Sequence, residues 1–119
     1  MDWLRGLFER RRSRYRAPLL TPAREPPWSS VGGVIYWRGN AHGEERLELR
    51  LRGLKLLPAG ELTLVIGGFS VARWPQPGKD VRFRLASTAG HRLPPIDADT
   101  PVQVLHEARV MLEGRFFRG

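Results

Sequence analysis

The chain has no cysteine, and that one absence removes disulfide frameworks, thiolate metal sites and thiol nucleophiles together. Lysine is almost missing as well. Only Lys55 and Lys79 occur, so arginine supplies nearly all of the 20 basic residues, which stand against 12 acidic ones and leave a formal charge of +8. Long hydrophobic runs are lacking: none approaches the roughly 18 residues needed to cross a bilayer, and the arginines near the N-terminus are followed by no continuous apolar segment of the kind a signal peptide carries. A cytoplasmic protein is the expectation. A phosphate-cradling loop is also missing, because PQPGKD at 75–80 has the Gly78-Lys79 pair but neither the upstream glycine nor a following Ser or Thr.

What is present is a globular balance. Hydrophobic residues at 41% and charged residues at 27% of 119 positions argue for one folded core rather than a disordered chain, and 13 Gly with 10 Pro argue for many turns. In DWLRGLFERRRSRYR at 2–16, Trp3, Leu4, Leu7, Phe8 and Tyr15 recur near helical spacing, and Arg10, Arg11, Arg12 and Arg14 fill the remainder. The spacing predicts a short amphipathic helix on a basic arm, 1–16. Asp2 would cap it and the arginines would suit its C-terminal dipole, while Gly6 costs about 1 kcal/mol, so the helix needs a surface to lie on. Pro18, Pro22, Pro26 and Pro27 forbid its continuation and predict an extended linker over 17–30, with the domain boundary there.

From Val31 the period changes to two. VGGVIYWR at 31–38 and a polar turn lead into RLELRLR, where Leu47, Leu49 and Leu51 face one way and Arg46, Glu48, Arg50 and Arg52 the other, the pattern of a strand with one wet face. ELTLVI and FSVARW follow, joined through a Gly67-Gly68 hairpin. DVRFRLAS at 80–87 repeats the alternation, and PVQVLHEA and RVMLEGRFF form a last hairpin joined near Glu107 and Ala108. Residues 46–74 and 81–117 share one order: an apolar/Arg strand, a Leu-Pro turn (Leu57-Pro58, Leu93-Pro94), then a hairpin, with separations growing from 34 to about 40 residues through a longer second loop. Two degenerate copies are suggested. Together these features predict an all-β fold, an antiparallel β-sandwich of about seven short strands over 31–119 with a short N-terminal amphipathic helix.

The succession RLELRLRGL, LPAGELTLVIGG, DVRFRLAS, LPPIDADTPVQVL and VMLEGRF resembles a recurrent, largely uncharacterised bacterial β-sandwich-like domain pattern: a strand, a Leu-Pro-x-Gly turn, a hairpin with Gly at its tip, then a second strand, a Pro-bearing loop and a hairpin ending near Gly-x-Phe. Leu57, Pro58, Gly60, Gly68, Pro94, Gly114 and Phe116 carry it, across about residues 31–117. The resemblance implies a sandwich-like module and transfers no catalytic residue.

No arrangement of side chains marks an active site. Ser87, His91 and Asp97 share one loop, without the strand-to-helix elbow that exposes a nucleophile. His42, His91 and His106 lack the short spacing of a metal pair, and Asp97-x-Asp99 lacks the other ligands of a calcium loop. Glu44, Glu45 and Glu48 fall on a turn and a wet strand face. The expectation is therefore a non-enzymatic module with no catalytic or metal site, no cofactor and no small-molecule substrate.

Two interaction patches remain. Trp3, Leu7 and Phe8 backed by Arg10, Arg11 and Arg12 suit a protein partner or a second copy of the chain, the leading expectation, and also an anionic membrane surface. Arg50, Arg52, Arg82 and Arg84, with Trp37, Tyr36 or Trp74 beside them, would form a basic stripe suited to a nucleic-acid backbone with bases stacked on the aromatics. The plain alternative is a solvated sheet face in a chain whose genome favours arginine.

Overall fold

Alternation of apolar and polar side chains governs nearly every extended segment in the computed structural model, which describes residues 13–40, 42–90 and 93–119. Among these residues nine strands form: β1 Ser13–Leu19, β2 Gly32–Gly39, β3 Glu45–Arg52, β4 Glu61–Ile66, β5 Phe69–Pro75, β6 Val81–Ala86, β7 Pro101–His106, β8 Arg109–Arg115 and β9 Phe117–Arg118. They form two antiparallel sheets, one ordered β6-β3-β2-β1-β9 and the other β5-β4-β7-β8. Their inner faces meet as a sandwich. Ala17, Leu19, Ile35, Trp37, Leu47, Leu49 and Leu51 from the first sheet are buried with Leu62, Leu64, Ile66, Val102, Val104 and Leu112 from the second, and Leu54, Ile96 and Phe116 close the ends.

The expected N-terminal helix is not seen. Residues 1–12 lie outside the described residues, and Ser13 to Arg16, the last four positions assigned to the helix, belong to β1. That strand also takes in Ala17 to Leu19, read from the prolines as linker, and it pairs with β2 from Ser13↔Gly39 to Leu19↔Gly33. Tyr15, Ala17 and Leu19 turn inward while Arg14, Arg16 and Pro18 turn out. Pro18 is tolerated because of where its backbone points. Its carbonyl faces the Gly114 backbone of β8, and the N–H and C=O of a strand residue lie on the same side, so the missing N–H breaks no bond to β2.

Just past Pro18 the two sheets are stitched together. Leu20 and Glu113 exchange backbone hydrogen bonds, N–H to carbonyl in each direction at 2.9 Å. Gly114 makes the approach feasible, since a Cβ there would stand 2.2 Å from the Pro18 carbonyl oxygen. On the opposite flank β5 and β6 meet through Trp74, whose ring lies 4.2 Å from that of Phe83.

The internal repeat is visible in the ladders. β3 pairs with β6, and β4 with β7. If β6 repeats β3 at a separation of 34, Leu49 corresponds to Phe83, and those two residues are rung partners. If β7 repeats β4 at 40, Leu64 corresponds to Val104, and they too face each other. The register irregularity between Leu64 and Val65 in the first hairpin recurs between Val104 and Leu105 in the second, again 40 residues on. Bulges placed at equivalent points are structural features rather than accidents of packing, so they support two copies of one strand-plus-hairpin unit.

Candidate nucleic-acid interface

The outer face of the first sheet collects arginine because every strand in it places its polar half there. Three rungs run across the strands in register. In the first, Arg14, Arg38 and Arg46 stand side by side, followed by Ala86. The second reads Arg16, Tyr36, Glu48, Arg84, and the third Pro18, Val34, Arg50, Arg82. Arg52 adds an eighth guanidinium at the end of β3, packed over Gly32, where a Cβ would lie 2.5 Å from its Nη2.

Glu48 is the one carboxylate in these rungs. Arg50 Nη2 lies 2.7 Å from it, Arg84 Nε 3.0 Å and Arg82 Nε 3.9 Å. Desolvation alone would raise the Glu48 carboxyl, but hydrogen bonds from Arg84 and Arg50 and the charges of Arg50 and Arg82 together outweigh it and hold the group below the usual carboxylate range. Glu45, at the inward end of the same strand, goes the other way, raised by partial burial.

The first rung has no such neutralisation. Among the described residues Arg14, Arg38 and Arg46 make no ion pair with a carboxylate. Like charges directly opposite on neighbouring strands are destabilising, so three in a row constitute an anion-seeking strip. They border an open depression of about 790 Å3 that extends over Tyr36, Glu48 and Arg84. Tyr36 is exposed near its middle with the Arg50 guanidinium 5.1 Å from its ring centre, and at the edge Arg16 lies 4.8 Å from the ring of the exposed Phe117.

Of the residues singled out from sequence, Arg50, Arg52, Arg82 and Arg84 do share this face, and Arg50 and Arg82 are direct rung partners. Trp37 and Trp74 do not. Trp37 is buried on the inner face with its ring 5.5 Å from that of Tyr15, and Trp74 points inward onto Phe83, because each sits at the apolar parity of its strand. The aromatic side chains actually available are Tyr36 and Phe117. Arg14, Arg16, Arg38 and Arg46 were not singled out for this face, although the alternation in SRYRAPL carries the signal for the first two. Trp3, Leu7, Phe8, Arg10, Arg11 and Arg12 lie outside the described residues.

The other polar groups considered for chemistry have structural partners. Ser87 Oγ accepts the Glu45 N–H at 2.9 Å, and the Thr100 hydroxyl donates to the Asp97 carboxylate at 2.8 Å. His106 is buried, its Nε2 2.9 Å from the Pro58 carbonyl and its ring edge-on to Trp28. His91 is not among the described residues. Within those residues no group of three His, Cys, Asp or Glu is placed to hold a metal ion, and no helix is long and apolar enough to cross a membrane. No family model matches the chain, and no curated protein matches it.

Proposed function

We propose that this protein is a non-enzymatic binding module that holds the phosphodiester backbone of a single-stranded nucleic acid on the arginine face of its first sheet. One observation carries the reading: the unpaired rung Arg14, Arg38, Arg46, three guanidinium groups in register with no carboxylate among them. Guanidinium forks match phosphate oxygens bidentately. An open sheet face suits a flexible strand better than a duplex, and Tyr36 beside the strip offers a surface on which a base can stack. Glu48 then tunes the face by engaging Arg50 and Arg84 when no polyanion is bound. Arg10, Arg11 and Arg12 precede Ser13 directly in the chain and add to its positive charge.

The test is fluorescence anisotropy with labelled oligothymidylate and oligouridylate of increasing salt concentration. Engagement of about four phosphates predicts a log–log salt slope of about −3 for a single strand. Absence of binding at low salt would sink the reading. Preferential pelleting with acidic lipid vesicles, and no oligonucleotide binding, would instead assign the face to an anionic membrane surface.

A further inference from the structure

Glu48 is out of place on a surface built to hold phosphate. It is the one acidic side chain lining the depression of about 790 Å3 among the described residues, against six arginines, and a carboxylate there repels a polyanion. It is also fixed. Arg50 Nε donates to its Oε2 at 2.8 Å from the same strand, and Arg84 Nε donates to its Oε1 at 3.0 Å from β6, with the Glu48 side chain only 21% exposed. Directly across the ladder stands Tyr36, and partners of this kind bring their Cβ atoms to about 5 Å. A stacking ring and an oriented acceptor therefore sit side by side, one rung from Arg14, Arg38 and Arg46. Residues two apart along a strand are separated by about 7 Å, a distance that a nucleotide spans between its phosphate and its own base.

We propose that this pair selects guanine: the base stacks at Tyr36 and gives its N1–H and N2–H donors to the Glu48 carboxylate, while the phosphate of the same nucleotide lies on the first rung. The selection rests on the phosphodiester reading of the face and adds to it the base that the face prefers. Chemistry singles out guanine. The Glu48 carboxyl sits below the usual carboxylate range, so at neutral pH it is ionised and only accepts hydrogen bonds. Among the common bases only guanine offers two parallel N–H donors on its pairing edge; cytosine and adenine present one amine beside a ring acceptor, and thymine and uracil one N–H between two carbonyls. When phosphates draw Arg50 and Arg84 away, the carboxylate loses its donors, and leaving it unpaired is costly. The guanine edge replaces them. A base arriving here meets the Tyr36 ring or the Arg50 guanidinium 5.1 Å from the ring centre, and bases stack on both kinds of plane.

The probe is a labelled thymidine nonamer whose central base is thymine, guanine, hypoxanthine or 7-deazaguanine, titrated by fluorescence anisotropy against the full chain at one fixed low salt concentration. The guanine strand is expected to bind about tenfold more tightly than the all-thymine strand, the scale of one bidentate base contact. Hypoxanthine lacks the N2 amine and is expected to lose most of that gain, whereas 7-deazaguanine keeps the N1 and N2 donors and is expected to retain it. Glu48→Gln is expected to hold the all-thymine strand at least as tightly as the wild type does, and to bind the guanine strand no better than the all-thymine one. Equal affinity of the wild type for the guanine and thymine strands would overturn the selection while leaving the phosphodiester reading in place, and binding of neither strand would remove both. Full affinity for the hypoxanthine strand with loss for 7-deazaguanine would also overturn it, assigning the contact to arginine on the O6 and N7 edge. So would a guanine preference that survives in Glu48→Gln.

Discussion

Arg38 has Arg14 opposite it on one side and Arg46 on the other, so it faces a like charge on both neighbouring strands. Replacing it with Gln is expected to raise stability by a few tenths to about 1 kcal/mol, the usual scale of a cross-strand pair, while weakening oligonucleotide binding and reducing the salt slope by about 1. Urea denaturation and anisotropy on the same protein check both. A variant that gains stability and keeps full affinity would mean the rung is a compositional by-product. Glu48 makes the converse case. Glu48→Gln frees Arg50 and Arg84 and is expected to tighten binding, with a stability cost of no more than about 1 kcal/mol because the pairs are solvent-exposed.

The same residue sets a pH dependence. The folded-state carboxyl of Glu48 is depressed, so its contribution is complete above the ordinary carboxylate range and is lost as pH falls through the depressed folded value. Glu45 acts in the opposite sense. Its raised folded pKa favours the folded state at low pH, and that contribution disappears as pH rises through the raised value. In wild type the two partly cancel through the acid range. In Glu48→Gln only the second remains, so the difference in stability between variant and wild type is expected to shrink as pH is lowered from neutral, measurable by urea titration at stepped pH.

Among the elements, β1 is the one whose removal is most informative. Deleting residues 1–27 was compatible with an intact domain so long as 17–30 was a linker. With β1 in place between β2 and β9, that deletion removes the Ala17 and Leu19 side chains from the core, exposes one edge of β2, and severs the Leu20–Glu113 stitch. Loss of one buried leucine alone is worth about 2–3 kcal/mol, against a typical total of about 5–15 kcal/mol. The truncated chain is expected to lose cooperative unfolding, whereas a chain beginning at Ser13 is expected to retain it. The stitch itself is tested by Gly114→Ala, whose Cβ would meet the Pro18 carbonyl at 2.2 Å. Strain of that kind typically costs about 1–3 kcal/mol and will appear as a lower denaturation midpoint.

At the scale of the whole molecule, the repeated unit accounts for the asymmetry of the two faces. Each copy contributes an apolar/Arg strand to the same sheet, so β3 and β6 bring Arg50 and Arg82, with Arg84, onto one surface, while the hairpins β4–β5 and β7–β8 build the second sheet. Eight arginines are therefore gathered on one face, a local concentration of charge of the kind that steers a polyanion toward a surface. Association with an oligonucleotide is accordingly expected to slow steeply as salt rises, in stopped-flow measurements, more than dissociation quickens.

Period-two alternation was enough to reveal strands from 31 onward, the inward leucines, the two hairpins and the repeat, because burial of one sheet face is written into the parity of each segment. Parity also carried the arginine face at Arg50, Arg52, Arg82 and Arg84. Where sequence reading went astray, two local rules competed with a distant partner. Tyr15 fitted both a helical and a strand period, and four prolines suggested linker, yet β2 offered a ladder that Ser13 to Leu19 could join with Pro18 turned to the harmless side. Neighbours in space, not in sequence, settled which strands lie beside one another, and so aligned Arg14, Arg38 and Arg46 in a single rung, sent Trp37 and Trp74 into the interior, and put β6 at the end of its sheet. Alternation tells a residue which face to take; register and strand order, which depend on long-range pairing, tell it whom it will face there.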